Sequence, residues 1–89
     1  MWGWDEPKRQ ANLAKHGVDF ALVTEFDWLS AVIRVDDRFD YGEARLKAEG
    51  LIAGRLYAVV YTERGLFKRI INLRKANKRE VLQWISQKK

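Results

Sequence analysis

The chain has 89 residues, 47% of them hydrophobic, with four Trp, three Tyr, four Phe and no Cys. That is the length of one domain, residues 1–89, and the apolar content excludes a disordered tail, because enough surface can be buried to offset the entropy of ordering. Without Cys there is no disulfide framework or thiolate site, a single His argues against zinc, and neither metal nor cofactor is expected. The net charge of +5 is local: from Arg64 onward nine Lys or Arg face Glu80 alone, a net of +8, so the preceding residues sum to −3.

Trp2 and Trp4, two apart, project from one face of a short edge strand and read as core. Asp5 reads as the N-cap of a helix over 6–16, with Glu6 and Pro7 in its first turn and Gly17 as its terminator. Its apolar positions are few, chiefly Ala11, Leu13 and Ala14, so it should lie on the surface, with Lys8, Asn12, Lys15 and His16 forming one polar ridge. A second helix over 19–27 is expected, capped by Asp19, with Val18 stapled onto Val23 and with Phe20, Val23 and Phe26 or Trp28 buried. Ala31–Val35 is a short β-branched strand, 36–42 a polar loop and 44–52 a weakly patterned strand, after which Ala53 and Gly54 turn the chain.

Residues 55–62 and 67–74 are the best strands. A two-residue loop at Arg64 and Gly65 sets Thr62 opposite Phe67, Tyr61 opposite Lys68 and Tyr57 opposite Asn72. Alternation then sends Leu56, Ala58, Val60, Phe67, Ile71 and Leu73 to the core and leaves Tyr57, Tyr61, Lys68, Asn72 and Arg74 on an open face, with Arg69 an exception on the apolar side. A last helix begins near Asn77, with Glu80 as capping-box partner and Val81, Trp84 and Ile85 as its buried stripe. The expected fold class is α+β: two N-terminal helices packed on an antiparallel meander sheet with a C-terminal helix, the other sheet face open. No apolar run approaches the ~20 residues that span a bilayer and no signal-peptide pattern marks the Trp-rich start, so no membrane partner is expected and the cytoplasm is the expected address.

Two tyrosines among cations on an open face suit single-stranded RNA, where cations track phosphates and aromatics stack bases. The same charges also serve as a solvated face. Duplex DNA is a poorer match, since there is no helix-turn-helix pattern and the cations sit mainly on strands. RNA carries its own nucleophile, the 2′-OH, so cleavage needs only in-line positioning, a proton acceptor, cations for the charge that builds on phosphate and a proton donor for the leaving oxygen. The proton carriers open to this chain are His16, Glu43, Tyr57, Tyr61 or a lysine of lowered pKa. Each has a structural role as well: His16 as a helix terminus, Glu43 as an ion-pair partner for Arg45, and the tyrosines as packing groups.

The opening WDEPKRQANLAKHGVDF resembles the W-D-x-x-K-x-x-x-N-x-x-K-H-G-V-x-F signature of the BrnT toxin family, through Trp4, Asp5, Lys8, Asn12, Lys15, His16, Gly17, Val18 and Phe20. Gly42 to Arg45 is similar to that family's G-E-x-R, and GRLYAVVYTERG followed by RIINLRKANKRE resembles its closing block through Arg69, Ile70, Ile71, Arg74, Ala76 and Glu80. Two positions depart: Asn72 stands where Ser is common and Trp84 where Tyr is common.

The resemblance implies a RelE-like fold and a ribonuclease toxin of a type II toxin-antitoxin pair. Its partner would be a ribbon-helix-helix, BrnA-like antitoxin that also binds operator DNA, with possible hetero-oligomers of the two. It carries Lys8, His16, Glu43, Arg45, Tyr61, Arg64, Arg69, Arg74 and Lys75 over as positions lining the RNA site. The expected enzyme is a metal-independent endoribonuclease. In it Arg64, Arg74 and Lys75 bind phosphate, Glu43, His16 or Tyr61 moves protons, and Tyr57, Lys68, Lys78 and Arg79 extend the RNA-binding surface. That scheme requires Arg64, Arg74 and Lys75 to converge. Two rivals remain: a non-catalytic RNA-binding module, and an interaction subunit whose basic face meets an acidic partner.

Overall fold

The longest apolar strand takes the centre of the sheet. In the computed structural model, which describes residues 1–37 and 42–88, β1 (Trp2–Trp4) leads into α1 (Glu6–His16) and a short 3₁₀ helix (Phe20–Glu25). There follow β2 (Asp27–Val35), β3 (Leu46–Ile52), β4 (Arg55–Arg64), β5 (Phe67–Lys75) and α2 (Lys78–Lys88). The five strands lie in the order β1-β5-β4-β3-β2. The fold is mixed α+β. β2 to β5 form the expected antiparallel meander, and β1 adds to it in parallel, pairing Trp2 with Lys68 and Trp4 with Ile70.

Local signals place α1 where the sequence put it. Gly17 closes it at φ 69 with its N–H on the Leu13 carbonyl. Asp5 occupies the N-cap position, but its side chain makes no capping bond. The expected second helix is corrected to six residues of 3₁₀ helix. Asp19 caps it by accepting from the Ala21 N–H at 3.0 Å, and the chain is already extended at Phe26. Phe20, Val23 and Phe26 recur every three residues, the period of a 3₁₀ helix, so the tighter coil keeps all three on the core. Phe26 needs room, and Gly50 supplies it: a Cβ there would stand 2.6 Å from the Phe26 ring. β2 starts at Asp27, four residues earlier than expected, and β3 at Leu46, two residues later. Part of the expected 36–42 loop lies outside the described residues.

The β4–β5 hairpin has a two-residue loop, but it is Gly65–Leu66 rather than Arg64–Gly65. Gly65 at φ 62 takes the first central position of a type II′ turn, which suits the twist of the strands. The register moves accordingly: Arg64 faces Phe67, Thr62 faces Arg69 and Tyr57 faces Lys75. A bulge between Val60 and Tyr61 leaves Ile71 unpaired in the ladder, so Tyr61 faces Ile70 while Val60 faces Asn72.

These shifts correct the sorting of faces. Tyr57, Val59 and Tyr61 join Ile70, Leu73, Ala48 and Ile52 under the 3₁₀ helix, with Trp2, Trp4 and Trp28 packed alongside. Tyr57 and Tyr61 are therefore core groups and do not lie on an open face; Trp2 and Trp28 pack against the Tyr61 ring. Each large side chain buried here contributes roughly 1.5–3 kcal/mol. Leu56, Ala58 and Val60 are buried too, but on the other face, so β4 is apolar on both sides. That second face holds Lys47, Glu49, Arg69, Asn72 and Arg74 by register, and α2 covers part of it. Arg69 is no exception there, and it is half-buried. On α2, Val81 and Trp84 are half-buried and the Trp84 Nε1–H donates to the Ser30 carbonyl at 2.9 Å. Ile85, expected in the buried stripe, is 44% exposed, because the stripe meets the sheet only along its Trp84 side.

α1 is fastened to β5 by one side chain. The Asn12 Nδ2 donates to the Leu73 carbonyl at 2.6 Å and to the Val18 carbonyl at 3.0 Å, and its Oδ1 accepts from the Leu73 N–H at 3.2 Å. Asn12 is buried, not a member of an exposed ridge. Each backbone group it serves would cost about 1–3 kcal/mol if left unpaired. Asn12→Ala should therefore lower stability by about 3 kcal/mol, enough to drop the thermal midpoint by over ~10 °C. Thermal unfolding followed by circular dichroism checks this, and a midpoint within ~3 °C of wild type would refute it.

Candidate functional site

The end of α1 brings His16 to the α2-covered face of the sheet. There it meets a cavity of about 260 Å³. Val60 of β4 and the bulged Ile71 give it apolar walls, and four cations line it: Lys15 from α1, Arg45 from the segment entering β3, Lys47 from β3 and Arg74 from β5. Asp36 and Asn72 complete the lining. The His16 Nε2 lies 3.5 Å from the Asn72 Nδ2. Burial first, then the nearby Lys15 and Arg74 charges, lower the His16 pKa below its usual 6.5, so the imidazole is neutral at pH 7 and can accept a proton.

Behind the cavity, Glu80 ties the cations down. Arg74 meets it through both terminal nitrogens, Nη1 to Oε1 at 2.8 Å and Nη2 to Oε2 at 2.9 Å, and Lys47 reaches Oε2 at 2.9 Å. The same carboxylate accepts from the Asn77 N–H at 2.9 Å while the Asn77 side chain accepts from the Glu80 N–H at 2.8 Å, which is the capping box expected from sequence. The Arg74 bonds above all, then Lys47 and the Asn77 amide, hold the Glu80 carboxyl far below the usual carboxylate range despite its burial.

The sequence-derived site residues divide into groups. His16, Arg45 and Arg74 come together in the cavity, and Lys8 with His16 lines a second one beside it. Arg64 and Glu43 pair with each other at 3.1 Å near the hairpin tip. Arg64 lies six residues along β4 from Ala58, the partner of Arg74, or roughly 20 Å at the rise of a strand. Lys75 pairs with Tyr57 and so falls on the opposite face from Arg74. Arg64, Arg74 and Lys75 thus do not converge. Lys68 also belongs to the opposite face, 5.8 Å over the Trp28 ring and paired with Glu63 at 3.5 Å. Tyr61 is in the core, where burial and then Glu63 push its phenol up to about 12. Arg69 is half-buried facing Thr62, and Lys78 and Arg79 are exposed on the first turn of α2.

Two cavity residues escaped the sequence reading. Asp36 sits in the polar loop and Lys47 in the weakly patterned strand, and only the pairing of β3 with β4 puts Lys47 opposite Val60. The acid at i+3 of the Asn77 cap was the available signal for Glu80, but it spoke only of helix capping.

The model of one protein family matches residues 4–80: the ribonuclease toxin BrnT of type II toxin-antitoxin systems. The chain belongs to the BrnT family, whose members are ribonuclease toxins paired with antitoxins. No curated protein matches it. Among the described residues no helix is long and apolar enough to cross a membrane.

Because the Glu80 carboxyl is depressed on folding, its contribution is complete above its ordinary value near 4.5 and is lost as pH falls below that. Glu80→Gln should cost about 3 kcal/mol at pH 7, since it leaves two half-buried cations without the buried carboxylate that pairs them. The gap to wild type should narrow by about 2 kcal/mol between pH 7 and pH 3. Urea unfolding of both chains across that range checks this; a gap independent of pH would refute the ion-pair account.

Proposed function

We propose that the chain is a metal-independent endoribonuclease that cuts at the His16 cavity by 2′-OH attack. The carrying observation is His16 beside four cations in one cavity, where burial and the Lys15 and Arg74 charges hold its pKa below the usual 6.5. His16 takes the proton from the 2′-OH, whose oxygen attacks the adjacent phosphorus as the P–O5′ bond breaks. The products are a 2′,3′-cyclic phosphate and a 5′-OH, the leaving oxygen taking its proton at the open mouth, where Lys15 stands and water has access. Arg45, Lys47 and Arg74 face the charge that builds on the non-bridging oxygens, a role worth several kcal/mol where water is scarce. Arg64, Arg69 and Lys8, farther out, follow the flanking phosphates.

The partner in this reading is a ribbon-helix-helix antitoxin, through which alone the pair meets operator DNA, and the fold is RelE-like. An acidic antitoxin segment over the cationic cavity would inhibit by steric cover, so antitoxin peptide and RNA should compete for the free chain. The +8 carried from Arg64 onward supports such a partner.

RNA incubated with the chain in EDTA should be cut, leaving cyclic phosphate ends. His16→Gln should slow cutting by at least about a hundredfold, while Tyr61→Phe, a core change, should stay within about threefold. Because the imidazole titrates below its ordinary 6.5, the wild-type rate should rise with pH on an acid limb lying below that value and be flat through neutrality. No cleavage, or cleavage only with added magnesium, would sink the mechanism.

A further inference from the structure

A second cavity, about 250 Å³, opens beside the first and shares Lys15, His16, Ile71 and Asn72 with it. Its chemistry differs. In place of Arg45, Lys47 and Arg74 it has Ala11 and Asn12, with Lys8 at the rim. A chain of phosphates has no reason to enter a pocket lined by Ala11 and Ile71, but a planar, mostly apolar ring does, and Lys8 and Lys15 can lay their aliphatic stems along it. The shared wall means that a phosphate in the first cavity and a ring in the second are joined across His16, as the phosphate and base of one nucleotide are joined through the ribose.

The polar groups of this second cavity are not equivalent. Asn12 commits both Nδ2 protons and one lone pair of its Oδ1 to Leu73 and Val18, so it has no donor left to offer a ligand's edge. Lys8 and Lys15 only donate. Among the described residues the Asn72 side-chain amide has one polar contact, to His16 at 3.5 Å, and it offers a donor beside an acceptor on the wall common to both cavities. Such a pair is complementary to the adjacent donor and acceptor on an edge of adenine.

We propose that the second cavity seats the base of a nucleotide adjoining the cut, and that Asn72 selects adenine there. This rests on the ribonuclease reading for its phosphate, and the experiment has two arms so that the two can fail separately. In the first, RNAs varied at the two positions flanking the cut are cleaved by wild type, Asn72→Ala and Asn72→Asp. Wild type should favour adenine at one of the positions by about tenfold or more over the mean of the other bases, and Asn72→Ala should bring that ratio close to one. Asn72→Asp, which only accepts, should favour cytosine through its amino group. A ratio unchanged in Asn72→Ala, even with a slower absolute rate, assigns Asn72 to holding His16 and overturns the proposal.

The second arm needs no cleavage. Binding of the 3′-monophosphates of adenosine, cytidine, guanosine and uridine is followed by NMR on the Asn72 side-chain amide. Adenosine-selective binding that Asn72→Ala removes supports the subsite even if no RNA is cut, in which case the ribonuclease reading alone falls. Equal binding of all four, or no perturbation at Asn72, overturns the subsite.

Discussion

The Asn12 side chain does the work of a missing strand segment. β1 pairs with β5 only from Lys68 to Ile70, so beyond that point the outer edge of β5 would present bare backbone groups. At Leu73 the Asn12 amide takes both the N–H and the carbonyl, and it ties the Val18 carbonyl to the same spot. Only an amide can do this, because the task needs two donors and an acceptor on one short side chain. The geometry of the site follows. His16 lies four residues on, one helical turn along the same face of α1, and so comes to rest beside Asn72. A demand for backbone satisfaction, rather than any attraction between site residues, aims the imidazole into the cavity.

Signals confined to a few neighbouring residues were legible. The full span of α1, its Gly17 terminator, the Asp19 cap and the Asn77–Glu80 box all depend on contacts within one turn, and all appear where the sequence places them. Signals that depend on what lies across the sheet were not. β4 is buried on both faces, so Leu56, Ala58 and Val60 read as well as Tyr57, Val59 and Tyr61 for the core, and alternation alone cannot choose. The bulge at Ile71 then breaks the parity of β5, which is how Ile70 and Leu73, three apart, share the core face. The site inherited both errors. The two tyrosines and Lys68, read as open-face residues, lie on the core side, while His16, Arg45 and Arg74 line one cavity.

In the proposed ribonuclease, a carboxylate beside cations that would meet a polyanion looks self-defeating, and the cavity lining shows why it is tolerable. Among the described residues, Lys15, Arg45, Lys47 and Arg74 line the cavity with Asp36, and Glu80 lies behind it, so a phosphate bound there as proposed would still meet more cations than carboxylates. What Glu80 removes in charge it returns in order. An Arg held through both terminal nitrogens and a Lys held on the same oxygen have already given up rotamer freedom on folding, roughly 2 kcal/mol for each long side chain if it were lost on binding instead. In the proposed reaction, donors fixed in advance would also need no reorganisation as charge develops on the phosphate, which is where electrostatic catalysis gains most. The last residue of the family match, which by sequence reads as a helix cap, thus joins the C-terminal helix to the cavity face of the sheet and makes helix, strand and cavity interdependent.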